Sequence, residues 1–230
     1  MQHSREIMTM SSASAAETRR LHPAALRIMH WINAVAMVIM IGSGWKIYND
    51  EVLFGWLYFS ESITIGGGAQ GALQWHFFAM WILVFNGIAY LTFGVSTGRF
   101  RHMLFPISVR QVIADVRDAL SFRLAHDDIT SYNAVQRVLY IGIVFVIIVQ
   151  VLSGLVLWKP VQFSELAVLF YDFQGARLAH FIGMALIVGF IIVHVALALL
   201  VPRTLLAMLT GGPRVPKKPP PRALAEENVH

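Results

Sequence analysis

Four stretches of this chain, 24–44, 73–93, 135–157 and 178–201, are apolar almost without interruption. Each meets the roughly 20 residues that an α-helix needs to cross hydrocarbon, so the pattern predicts four transmembrane helices in an all-α membrane protein, a four-helix bundle. Between the second and third, Val109, Val112, Ile113, Val116 and Leu120 recur at helical spacing while Arg110, Asp115, Arg117 and Asp118 take the opposite face. This predicts an amphipathic helix lying on the membrane surface. The connection 46–72 carries Asp50, Glu51 and Glu61, the bulky Trp56, Tyr58 and Phe59, and a glycine-rich run from Gly66 to Gly71 that reads as flexible. Its size and aromatic content suit either a docking surface or an interfacial aromatic belt. Residues 1–22 are expected to be a flexible N-terminus without a cleaved signal, and 211–230 a disordered tail, since Pro and Lys dominate it. The span-bearing domain is then 23–210.

Composition narrows the chemistry. Of 230 residues, 57% are hydrophobic and 13% charged, which excludes an ordinary soluble domain. The absence of cysteine rules out disulfides, thiolate-held clusters, a thiolate haem ligand and covalent C-x-x-C-H haem attachment. A net charge of +5 does not point to nucleic acid, because the basic residues lie at the ends of the spans and not on one folded face. Fifteen of the 18 Lys and Arg residues fall before or in the first turn of the first span, between the second span and the first turn of the third, or after the fourth; only Lys46, Lys159 and Arg177 fall on the other side. That bias places both termini in the cytoplasm.

Ionisable residues inside spans mark functional sites by default. Here they are His30, His76, His180 and His194. His180 and His194 are fourteen residues apart in one helix, which turns them to one face about 21 Å apart along the axis. With alternating span directions, His30 and His194 share the cytoplasmic level, and His76 and His180 the outer level. Each level thus holds two histidines from two helices, the arrangement that an iron porphyrin with two axial imidazoles requires. Zinc is the competing metal, but two histidines per level give too few ligands for a closed tetrahedral site. Gly44 and Gly87 fall near the ligand faces of their helices, where a missing side chain leaves room for a haem edge. His22, His102 and His126 lie outside or at the edge of the spans and read as solvated. Asn133 followed by Gln136 at the start of the third span is open to two readings, a capping box or, with Arg137, a polar pocket.

The chain also resembles the bacterial di-haem cytochrome b family, the membrane subunits of nickel-iron hydrogenases, formate dehydrogenases and thiosulfate-reductase-type enzymes. The likeness runs from about Leu21 to Thr210 and is carried by His30-Trp31-Ile32-Asn33, Ser43-Gly44, Trp75-His76, Tyr132-Asn133-Ala134-Val135-Gln136-Arg137 with Tyr140, Ser153-Gly154, Ala176-Arg177 with His180, and His194. Within the family it is most similar to partners of periplasmic molybdopterin oxidoreductases. The resemblance implies two b-type haems, ligated by His30 and His194 on the cytoplasmic side and by His76 and His180 on the outer side. It also implies a quinone, ubiquinone or menaquinone, bound near Asn133, Gln136 and Arg137. There is no fifth span and no cluster motif of the kind some hydrogenase cytochromes carry.

The function expected is electron transfer across a bacterial inner membrane, as the cytochrome subunit of an oxidoreductase complex, between the quinone pool and a periplasmic, molybdopterin-dependent partner. Two other readings stay open: a self-contained superoxide:quinone oxidoreductase, and a haem-free transporter or scaffold.

Overall fold

The computed structural model describes residues 18–20, 22–97 and 134–216. Its frame is four long helices, α1 (Ala24–Asp50), α2 (Ala69–Ser96), α3 (Ala134–Trp158) and α5 (Phe173–Leu200), each long and apolar enough to cross a membrane. They match the four expected spans: α1, α2 and α5 extend a turn or more beyond them at one end or both, α3 by a single residue at each end, and α5 stops one residue short of 201. The short α4 (Ser164–Val168) sits between α3 and α5. The proposed surface helix at 109–120 and the residues His102, His126 and Asn133 lie outside the described residues.

Large apolar side chains such as Val35, Phe78, Phe85, Phe145 and Leu186 point outward. The buried positions are mostly small: Ala36, Ala72, Ala79 and Ala176 are at or below 1% exposed. That inversion fits lipid as solvent, where small residues let helices approach. Gly183 of α5 shows the effect, since a Cβ there would lie 2.2 Å from Gln150 Oε1 of α3. Helix α5 starts where the Asp172 carboxylate accepts from Gly175 N at 2.7 Å, an N-cap bond.

The 51–68 connection is folded, with a short 3₁₀ turn at Glu61–Ile63. Asn49 clamps Phe59, donating to its carbonyl (2.7 Å) and accepting from its N–H (3.0 Å). Trp45 stacks on Phe59, and Tyr48 and Phe54 pack on Phe181 of α5. The glycine run that reads as flexible is a tight turn into α2. Gly66 has φ +117°, and a Cβ on it would strike the backbone of Ala72, so only glycine fits.

A separate compact unit gathers the described residues before Met29 and after Leu200. Here strand β1 (Thr18–Arg20) pairs antiparallel with β2 (Arg214–Pro216), with Arg19 opposite Val215. Helix α6 (Pro202–Thr210) opens on a proline in its first turn and closes on Gly211 at φ +102°, as the N-terminal proline and C-terminal glycine preferences require. The Arg20 and Arg27 guanidinia donate to Thr210 O and Leu209 O, placing positive charge at the negative end of its dipole. In their described parts, then, the two termini hold a ribbon where the sequence pattern led to no structure. Three-residue strands joined across nearly the whole chain leave no local period to read.

Candidate haem site

The four span histidines come together as two pairs. His30 of α1 faces His194 of α5, with ring centroids 6.2 Å apart and planes at 61°. His76 of α2 faces His180 of α5 at 6.4 Å and 60°. These are the partners expected from depth, with α5 contributing to both pairs and α3 to neither. The first pair lies toward the ends of the helices that join the chain termini, the second toward the 51–68 and 159–172 connections.

The spacing can be tested against a bound metal. With metal–imidazole bonds of about 2.0–2.1 Å and about 1.1 Å from a ring nitrogen to the ring centre, two imidazoles in line across one ion have centres about 6.2–6.4 Å apart. Both observed separations fall there. Among the described residues no three His, Asp or Glu side chains converge as a metal site, so these residues offer a closed tetrahedral centre two donors at most, whereas a cofactor that brings its own equatorial ligands needs only two. The residues fit haem.

The surroundings of the two pairs differ. Ser43 Oγ of α1 lies 3.0 Å from His76 Nδ1, and Ser153 Oγ of α3 lies 3.1 Å from His180 Nδ1. His180 Nδ1 is also 3.1 Å from the Gln150 carbonyl, which can only accept, so that nitrogen carries the proton and Nε2 is left with its lone pair. Gly44 and Gly154 follow the two serines, and a Cβ on them would stand 3.5 and 3.2 Å from Cε1 of His76 and His180. Gly44 thus faces an imidazole ring at a distance where a Cβ would make ordinary contact, while a Cβ on Gly87 would meet nothing within 4 Å. In the other pair, Phe190 stacks on His194 at 5.8 Å and Trp31 meets His30 edge-on at 5.4 Å. One turn beyond His30, Asn33 Oδ1 accepts from the buried Asn86 amide (2.6 Å), which also donates to Met29 O (2.7 Å).

Asn133 lies outside the described residues. Gln136 and Arg137 lie at the start of α3, and the structure describes their backbone only. His22 sits at the helix entry, eight residues before His30, with its backbone N–H on Gly211 O. The serines were visible in the sequence as Ser-Gly dipeptides in the first and third spans, but a serine in a span ordinarily bonds its own helix, and nothing local tied either to a histidine.

A family model described as prokaryotic cytochrome b561 matches residues 21–211. The chain belongs to this family. It is also similar to a protein of Azospira oryzae described as putative protein-methionine-sulfoxide reductase subunit YedZ1, 50% identical over 195 residues, which are 85% of this chain and 98% of that protein. As a prokaryotic cytochrome b561 the chain is a multi-pass b-haem protein of the bacterial inner membrane, of a kind tied to electron transfer with oxidoreductase partners.

Proposed function

We propose that the chain carries single electrons across the inner membrane through two b-type haems, one between His30 and His194 and one between His76 and His180. The observation that carries this reading is the pair of metal-sized gaps, 6.2 and 6.4 Å between ring centres. Haem iron held between two imidazoles supplies reversible one-electron chemistry with no open position for a substrate. The protein's own part is to hold four imidazoles at two depths in hydrocarbon and to keep both ends of the path accessible.

The distribution of Lys and Arg supports a cytoplasmic His30 and His194 pair and a periplasmic 51–68 connection. The partner on that side is an oxidoreductase; the family likeness favours a molybdopterin-dependent one, and the Azospira relative's description favours one that reduces methionine sulfoxide. Electrons then flow outward. A quinol gives up two electrons and two protons, and a sulfoxide takes two of each to become a thioether and water, so each turnover passes two electrons one at a time. Quinone exchange is assigned to the cytoplasmic side, with Asn133, Gln136 and Arg137 at the opening of α3 as contacts.

Haem content decides the core of this reading. The wild type should hold two acid-extractable haems per chain. His30→Ala and His194→Ala should each remove one and the same redox transition, and His76→Ala and His180→Ala the other. If His30→Ala and His76→Ala abolished one shared transition, the pairing would be wrong. Reduction by a quinol analogue in Asn133→Ala tests the quinone contact. A capping role predicts about 1 kcal/mol of lost stability with unchanged reduction, and that result would remove Asn133 from the pocket.

A further inference from the structure

The geometry points to Ser43 and Ser153 as positioning residues for His76 and His180, each accepting a hydrogen bond from an imidazole Nδ1–H and so holding Nε2 free in a set orientation for the metal. The inference rests on the ligand assignment above and adds what orients the ligands. A serine hydroxyl has one proton. In Ser43 it goes to Ile39 O at 2.6 Å, in Ser153 to Val149 O at 2.8 Å, and in each a second carbonyl, Met40 O or Gln150 O, stands at 3.2 Å. With the proton spent on its own helix, the oxygen meets the imidazole with lone pairs only, and the ring nitrogen must be the donor.

Both serine side chains are 0% exposed, among the most completely buried in the structure. Bonding to the preceding turn accounts for a serine in a span. It does not account for a second contact to a ring nitrogen at 3.0 Å in one hairpin and 3.1 Å in the other, nor for a glycine after each serine lying against the same ring. The device is built twice, by α1 for α2 and by α3 for α5. Among the described residues no hydroxyl holds His30 or His194, whose neighbours are Trp31 and Phe190.

Two consequences follow from the chemistry. A hydrogen bond from Nδ1–H makes the imidazole a better electron donor, which favours the ferric state. It also restrains rotation of the ring, and with it the 60° between the ring planes, on which the electron paramagnetic resonance of a low-spin ferric haem depends.

The test uses purified holoprotein with Ser43→Ala, Ser153→Ala and their Thr counterparts, read by haem content, redox titration and electron paramagnetic resonance. Each Ala variant should favour reduction of the His76/His180 haem about tenfold, a rise of about 59 mV for a one-electron couple. It should shift that haem's ferric signal and weaken its retention by about 10–100-fold, with the other haem unchanged. Thr, which keeps the hydroxyl, should restore potential and signal. Unchanged potential and signal in an Ala variant with both haems present would overturn the proposal, as would Thr variants that behave like Ala. If one Ala variant fails to fold, the other, from the opposite hairpin, answers the same question. His76→Ala separates the two readings: retention of both haems there defeats the ligand assignment, whereas loss of one haem beside silent serine variants counts against the serines alone.

Discussion

At the scale of single residues, polar groups inside the spans are spent on one another. The Asn86 amide donates to Met29 O and Asn33 Oδ1 and ties α2 to α1 beside His30. Interhelical hydrogen bonds of this kind in membrane proteins average about 0.6 kcal/mol and reach about 1.7. Asn86→Ala should therefore lower stability by about 1 kcal/mol in detergent unfolding, and loosen the His30 and His194 pair before the other one. Equal effects on both would show general weakening only. Outside the spans, Lys46 bonds Glu61 at 2.8 Å, and that bond holds the Glu61 carboxyl below the usual carboxylate range. A depressed carboxyl stabilises the fold fully above its unfolded pKa of about 4.3 and loses that contribution as pH falls through the lower folded value. Glu61 is exposed, so the effect is small. Glu61→Gln should raise hydrogen exchange slightly in 51–68 at pH 7 and match the wild type in strong acid; a difference that survived acid would not be ionic.

At the scale of elements, the glycines separate into fillers and necessities. A Cβ on Gly44 would make ordinary contact with His76, at 3.5 Å, while one on Gly154 would press His180 at 3.2 Å. On the two-haem reading, Gly154→Ala should shift the spectrum of the haem assigned to His180, and Gly44→Ala should leave it nearly unchanged. The reverse order would mean that the rings sit differently about their partners. Deleting residues from the Gly66–Gly71 run would disturb the start of α2, because Gly66 closes directly on Ala72, so it cannot serve as a clean test of docking. This turn was illegible in the sequence: glycine repeats encode permissiveness, and what selects one turn is contact with a helix not yet placed. The long helices were legible, since twenty apolar residues in hydrocarbon leave the backbone only its own hydrogen bonds. The fold-back of 51–68 was not, because it depends on Trp45 meeting Phe59 and Tyr48 meeting Phe181, contacts between distant elements that no local period announces.

For the molecule as a whole, the alternation of span directions was enough to pair the histidines by depth, and the structure brings the same residues together. Depth says nothing about rotation, however, so the serine contacts and the aromatic flanks of the two pairs stayed invisible. Orientation is open to a direct measurement, because the sequence contains no cysteine to interfere. Trp56→Cys, at a position 80% exposed, should react with a membrane-impermeant maleimide in intact cells' outer compartment, whereas Arg203→Cys should react only after the membrane is opened. The opposite pattern would reverse the topology and with it the assignment of quinone and partner sides.

Helix α5 supplies one histidine to each pair, and this makes it a measuring rod. On the two-haem reading, the spacing between the electron's two stopping places is set by fourteen residues of one helix, about 21 Å of rise, and not by how neighbouring helices happen to pack. Tilting or breathing of α1 against α2 strains individual iron bonds while leaving the length of the jump almost untouched. The slowest motions of the bundle would then modulate how firmly each haem is gripped far more than how fast an electron crosses between them.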